Sequence, residues 1–324
     1  MDKVILKDEF GELNIEILDD DLKRITIKPS RGIFCPDSEI VTNYPMELIK
    51  KIFDYKNSCW VIDEIKRDES PDYVSRALKY GLFSFINEID LEHKVLLDFG
   101  CGSGASTVIL GRKIKNLKII GIELNKKLLE IAEMRKKYYG LDKNVRFLES
   151  ENPESIPIKD QVDFILLSAV YEHLLPSERK KILKMCWQLL KKDGVIFINQ
   201  TPNRWVIYEN HTTNLLFINY LPDRLCYWVS KYFSKRNLRN FSWNELLRMG
   251  IRGGTEKEIK NIIYKLNFYG NLKVLKPNNL GIKNRVDLWY RSTSTFSNKS
   301  KLLKTFIWYL IKFFPFLENI LLPG

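Results

Sequence analysis

The stretch VLLDFGCGSGAST, Val95 to Thr107, decides the reading of the chain. A short apolar run interrupted only by Asp98 leads into glycines at 100, 102 and 104, and a polar, helix-starting segment follows. Glycine lets a backbone approach a ligand closely and turn its N–H groups toward it. The carboxylate is the informative residue. GCGSGA fits the GxGxxA pattern of nicotinamide-binding turns, but a carboxylate on the strand end repels pyrophosphate and favours a cationic ligand.

Outward from this turn, strand and helix patterns alternate. KIIGIE (118–123), VRFLE (145–149), VDFILLS (162–168) and GVIFINQ (194–200) read as strands; segments from Ala105, Lys126 and Ser177 read as helices. This alternation predicts an α/β fold, a mostly parallel sheet with helices on both faces and a ligand at the carboxyl edge. Ahead of it, residues 1–45 form a β-rich extension, with LNIEIL and RITIK as strands of a meander. Residues 46–200 and 251–291 make the core, with a helix over 255–268 and a strand at LKVLK (272–276). RVDLWYR (285–291) is expected to supply the closing strand.

Residues 201–250 break the pattern and read as an inserted, helical lid whose aromatics mostly pack it against the core. The tail, 292–324, turns strongly apolar, and Leu302 to Leu322 suits peripheral contact with a membrane surface. Lys312 and Pro315 interrupt that run, which argues against a spanning helix.

The start of the chain mixes charges with apolar residues and carries no secretory pattern, so a cytoplasmic location is expected. Five cysteines, scattered and without a CxxC pair, support neither a disulfide framework nor a zinc ribbon. The net charge of +12 suits an anionic neighbour, either lipid headgroups or nucleic acid.

Glu123 ends the second core strand, 19 residues after Gly104. A carboxylate there can accept both hydroxyls of a ribose. Two acids, three glycines and no lysine in the loop point to a positively charged nucleoside.

LLDFGCGSG with IIGIEL resembles the class I S-adenosylmethionine-dependent methyltransferases over about residues 75–200. The resemblance implies a Rossmann-like sheet and S-adenosyl-L-methionine as cofactor. It implies that Asp98, Gly100, Gly102 and Gly104 surround the methionine part, that Glu123 holds the ribose and that Asn152 accepts from adenine. Ser168, at the end of VDFILLS, is counted in the same set. LSAVYEHLLPSER resembles the segment that forms the active-site floor in small-molecule and lipid methyltransferases, with Glu172 and His173 as its Glu-His pair. Quinone-pathway relatives with a metal carry a glutamate three residues earlier; Ala169 stands there, and no metal is expected.

TPNRWVIYENHTTNLLFINYLPDRL resembles a lid pattern of a subgroup in surface-glycan and lipid-linked pathways. Asn203, Arg204 and Glu209 are then candidates for acceptor binding, and His211 for the base that removes a hydroxyl proton, with His173 and Glu172 beside it. The expected acceptor is a small molecule, a lipid or a lipid-linked glycan. Two alternatives are weighed against it: an RNA methyltransferase using the basic surface, for which no recognition module or catalytic Asn-Pro-Pro-Tyr motif is present, and a non-catalytic cofactor-binding scaffold at membranes.

Overall fold

The computed structural model describes residues 3–19, 21–266, 272–292 and 298–322. The amino-terminal meander forms and gains a fourth strand: β1 (Lys3–Lys7), β2 (Gly11–Ile17), β3 (Lys23–Pro29) and β4 (Glu39–Thr42) pair antiparallel in that order. Alternation turns Leu13, Ile15 and Ile25 inward. There they meet Leu48, Ile49 and Ile52 of α1 (Met46–Lys56) and Ile62 and Ile65 of α2 (Val61–Glu69). α3 (Val74–Gly81) then leads to the main sheet.

That sheet consists of β5 (Val95–Phe99), β6 (Lys118–Glu123), β7 (Val145–Glu149), β8 (Val162–Ser168) and β9 (Leu190–Asn199). Its order is β7-β6-β5-β8-β9, and all its pairings are parallel. The crossovers carry α4 (Ala105–Lys113), α5 (Lys126–Tyr138) and α6 (Pro176–Leu189). Chain direction across the sheet reverses at β5, so the glycine turn opens at the switch point, where such folds bind ligands.

The lid follows with β10 (Tyr208–Glu209), β11 (Leu215–Leu216), α7 (Asp223–Phe233) and α8 (Trp243–Arg248). A parallel bridge between Asn203 and Gly254 closes its base. The chain continues through α9 (Glu256–Lys265), α10 (Arg285–Ser292), α11 (Asn298–Phe313) and α12 (Glu318–Leu321).

Period-two alternation divides the core. Leu96, Ile119, Val145, Phe164, Leu166 and Phe197 pack on α3 and α4 through Leu78, Val108 and Leu110. Leu97, Ile120, Ile165 and Leu167 pack on the other side against Ile182, Leu183 and Ile263.

Four expectations are corrected. Residues 272–276 form no strand, and 285–291 lie in helix α10. Val286 and Trp289, three residues apart, pack with Ile311 and Leu322, so the segment follows helical spacing once the tail offers it an apolar face. Cys35 and Cys59 form a disulfide, joining the loop after β3 to the turn before α2. Most of the lid aromatics do not pack inward. α7 buries Cys226 and Ser230, one turn apart, which leaves Leu225, Trp228, Tyr232 and Phe233 outward and exposed.

Among the described residues no helix is long and apolar enough to cross a membrane. The outer side of α11 and the turn after it exposes Leu302, Leu303, Phe306, Phe313 and Phe316.

Candidate functional site

The alternation that puts Leu96 against α4 also aims Asp98 at the start of that helix. Its Oδ2 accepts from the hydroxyls of Ser106 and Thr107, each at 2.6 Å, and its side chain is buried. Burial pushes the Asp98 carboxyl up and the two hydroxyls pull it back, with a raised pKa as the outcome. By the same register Glu123, Ser168 and Asn199 end their strands on the α3/α4 side. The polar groups of the carboxyl edge therefore share one face.

Gly100, Gly102 and Gly104 have φ of 71°, 57° and 82°, the region that suits glycine. The positions differ in what surrounds them. A Cβ at Gly100 would lie 2.7 Å from Val170, and one at Gly104 2.8 Å from Ala132; at Gly102 it would meet nothing within 4 Å. Gly102 therefore faces open space while its N–H donates to Glu123 Oε2 at 3.0 Å. Glu123 Oε1 accepts from the N–H groups of Leu124 and Asn125, leaving acceptor capacity on Oε2 for a hydroxyl.

The opposite side of the loop is fastened from below. Ser103 Oγ donates to Glu64, and Arg135 Nη1 donates to Ser103 O at 2.8 Å and Oγ at 2.7 Å. Arg135 is fully buried and also binds Glu64, Asp68 and Tyr44. Sequence reading missed this network, because its members come from Tyr44, α2, the glycine turn and α5 and share no spacing signal. It also missed Asn199, whose amide nitrogen and oxygen are both buried without partners beside Gly81.

The remaining cofactor candidates sit at the rim. Asn152 is exposed, and its amide oxygen accepts from Glu154 N at 3.0 Å; Ser168 Oγ donates to Gln200. A donor set of two carboxylates with no cation in the loop, an open cradle at Gly102 and an orphaned amide at Asn199 fits a cationic nucleoside such as S-adenosylmethionine.

Val170 packs on Gly100, and the next turn presents Glu172 and His173. Glu172 Oε2 accepts from Thr201 Oγ1 at 3.0 Å, while Oε1 is buried without a hydrogen-bond partner, 3.7 Å from His173 Nε2. Burial raises the Glu172 carboxyl, with its own backbone and the neighbouring imidazoles acting against it. His173 Nδ1 lies 2.7 Å from the Arg248 carbonyl, which fixes the proton on Nδ1. His211 joins from the lid, its ring centroid 5.6 Å from that of His173. Thr212 donates its hydroxyl proton to Met249 O, so its oxygen accepts from His211 Nδ1 at 3.4 Å and Nε2 keeps a free lone pair.

Ligand-type atoms of Glu172, His173 and His211 lie within 4.8 Å of one another, a spacing that also suits a divalent cation. Gly250 is the wedge that permits this approach: at φ 90°, a Cβ there would lie 2.8 Å from the His211 ring and 3.2 Å from Glu172 Cγ.

The other lid candidates serve different contacts. Glu209 accepts from Thr212 N, Thr213 N and Thr213 Oγ1, which locks the lid turn. Asn203 is buried and caps Trp205 N. Arg204 donates to the Asn219 carbonyl and lines a cavity between lid and core.

Residues 97–198 match a family model described as a methyltransferase domain. The carboxy-S-adenosyl-L-methionine synthase of Erwinia tasmaniensis is 25% identical over 150 residues, covering 44% of this chain and 60% of that protein. The "Probable S-adenosylmethionine-dependent methyltransferase CRG1" of Saccharomyces cerevisiae is 31% identical over 133 residues, covering 40% of this chain and 44% of that protein. The chain thus spans less than two thirds of the length of these curated relatives. A solved S-adenosylmethionine-dependent methyltransferase from Clostridium acetobutylicum ATCC 824 superimposes with a TM-score of 0.39 at 19% identity, covering 47% of this chain and 61% of the other. The family match falls on the strands that frame the switch-point glycine turn, so residues 97–198 are a methyltransferase domain, similar to S-adenosylmethionine-dependent methyltransferases.

Proposed function

We propose that the chain moves a methyl group from S-adenosylmethionine to a hydroxyl of a small-molecule, lipid or lipid-linked glycan acceptor. The observation that carries this reading is the contact of Val170 with Gly100, which sets the imidazole cluster beside the glycine turn. When bound, S-adenosylmethionine supplies an electrophilic methyl group on a sulfonium. Asp98, Glu123 and the cradle at Gly102 hold and orient it. His211 Nε2 takes the acceptor's proton, and the buried Glu172 carboxylate stabilises positive charge on the two imidazoles. Transfer to an oxygen nucleophile then depends mainly on alignment, which the rigid strand ends and the lid supply.

The apolar acceptor class draws support from the exposed Leu302, Leu303, Phe306, Phe313 and Phe316, a surface suited to an interfacial seat. Co-sedimentation with anionic vesicles tests that seat; Phe306→Ser with Phe313→Ser is expected to release the protein.

The decisive experiment is transfer of labelled methyl to fractionated lipid, glycan, small-molecule and RNA extracts. Label in a lipid, glycan or small-molecule fraction that disappears with His211→Ala supports the reading. Label confined to RNA overturns it, and cofactor binding without any labelled fraction turns the chain into a scaffold.

A further inference from the structure

Two arginines of the lid meet at a single carbonyl oxygen. Arg204 and Arg252 both donate to Asn219 O, the latter at 3.1 Å, so two guanidinium charges converge where one acceptor is shared. Indole rings flank them: the Arg204 guanidinium lies 4.7 Å from the Trp205 ring and that of Arg252 5.4 Å from Trp243. Both arginines line a cavity of about 500 Å³ between lid and core.

The carboxylates at this cavity do not balance its cations. Glu258 pairs with Arg179 at 2.9 Å and Asp223 with Arg252 at 2.7 Å, but among the described residues no carboxylate pairs with Arg204. Arg252 is only 6% exposed, and its Nε is buried without a partner. Burial, followed by the charge of Arg252, brings the Arg204 pKa down to about 10, against the weaker pull of Asp223 and Glu258.

The backbone adds charge of the same sign. Pro176 opens α6, Asp223 opens α7 and Thr255 caps α9, and all three line the cavity. These helices run 14, 11 and 10 residues, and no side chain caps the start of α7. Helix N-termini carry partial positive charge and free N–H groups.

We propose that this cavity binds a phosphate-type dianion, clamped between Arg204 and Arg252 at the start of α7. Guanidinium forks beside indole rings suit the oxygens of a phosphate better than a point charge does. Thr201, whose hydroxyl donates to Glu172, lies three residues before Arg204, so one short segment of the lid base connects the cavity to the imidazole cluster. On the reading that His211 serves a methyl acceptor, on which this step rests, the dianion is the phosphate end of that acceptor.

The test uses the full chain without cofactor. Inorganic phosphate, pyrophosphate and glucose 1-phosphate are titrated calorimetrically, and vesicles containing phosphatidic acid are added as competitors. Saturable pyrophosphate binding is expected, weakened about tenfold by Arg204→Gln and partly retained in Arg204→Lys. Asp223→Asn removes a competing carboxylate and is expected to tighten binding, a direction that structural damage would not produce. Competition by vesicles assigns the site to a lipid phosphate, and glucose 1-phosphate binding without vesicle competition assigns it to a soluble phosphate ester. Absence of saturable binding, or equal affinity in wild type and Arg204→Gln, overturns the proposal; if Arg204→Gln fails to fold, weaker or unchanged binding in Asp223→Asn does so. A chain that binds pyrophosphate yet labels no acceptor overturns the methyl-transfer reading alone.

Discussion

Glu64 of α2 and Arg135 of α5 form an ion pair at 2.9 Å, with both side chains almost fully buried, and the pair supports Ser103 of the glycine turn. The helices ahead of the main sheet are thereby wired into the floor of the glycine turn. Burial by itself would raise the Glu64 carboxyl, but Arg135, Arg67 and Lys56 outweigh it and hold it down to about 2, against an ordinary 4.5. A depressed carboxyl contributes stability that is complete above its unfolded pKa and is lost as pH falls through the folded value. Stability should therefore fall between about pH 4.5 and about pH 2. Glu64→Gln should cost about 3 kcal/mol at neutral pH by leaving Arg135 underpaired, and should flatten that acid limb. Urea unfolding across this range measures both effects.

Asp98 fastens the start of α4, and on the proposed reading it also presents negative charge to the cofactor. Asp98→Asn keeps an acceptor for Ser106 and Thr107 and removes the charge. Its unfolding free energy should drop by about 1 kcal/mol, while affinity for S-adenosylmethionine falls about tenfold or more. Calorimetric binding on the folded variant decides, and unchanged affinity would refute the assignment.

Gly250→Ala tests the meeting of lid and floor. The added methyl would press on both His211 and Glu172, and φ of 90° disfavours any side chain. Methyl transfer should fall at least roughly tenfold through displaced reacting groups, with cofactor affinity unaffected. Single-turnover rates beside equilibrium cofactor binding separate the two.

Chelation distinguishes the occupants of the imidazole cluster. If a proton bridges Glu172 and the histidines, dialysis against EDTA should leave the methyl-transfer rate unchanged. Loss of rate, restored by Zn²⁺ or Mn²⁺, would instead make Glu172, His173 and His211 metal ligands.

The sheet was legible because its signal is local. Alternation in KVLLDF and KIIGIE, together with a glycine turn, specifies strand, loop and face, and Asp98 and Glu123 follow from the same register. The end of the chain was not, since RVDLWYR satisfies strand and helix spacing alike and the tail's apolar face decides between them. The Glu64–Arg135 pair was illegible for another reason: 71 residues separate the partners, and neither stands in a pattern that announces burial. The lid aromatics misled because helical periodicity shows which residues share a face without saying which face turns inward.

The bridge between Asn203 and Gly254 has a bearing on how such proteins diversify. Arg204 N donates to Gly254 O at 3.0 Å and Gly254 N to Pro202 O at 2.9 Å, so the lid leaves the core after β9 and rejoins it before α9 at one stitched point. A segment whose ends already touch can be lengthened, shortened or exchanged while the elements on either side stay in place. The lid is in that sense a removable cassette, exchangeable without disturbing the strand ends that frame the glycine turn.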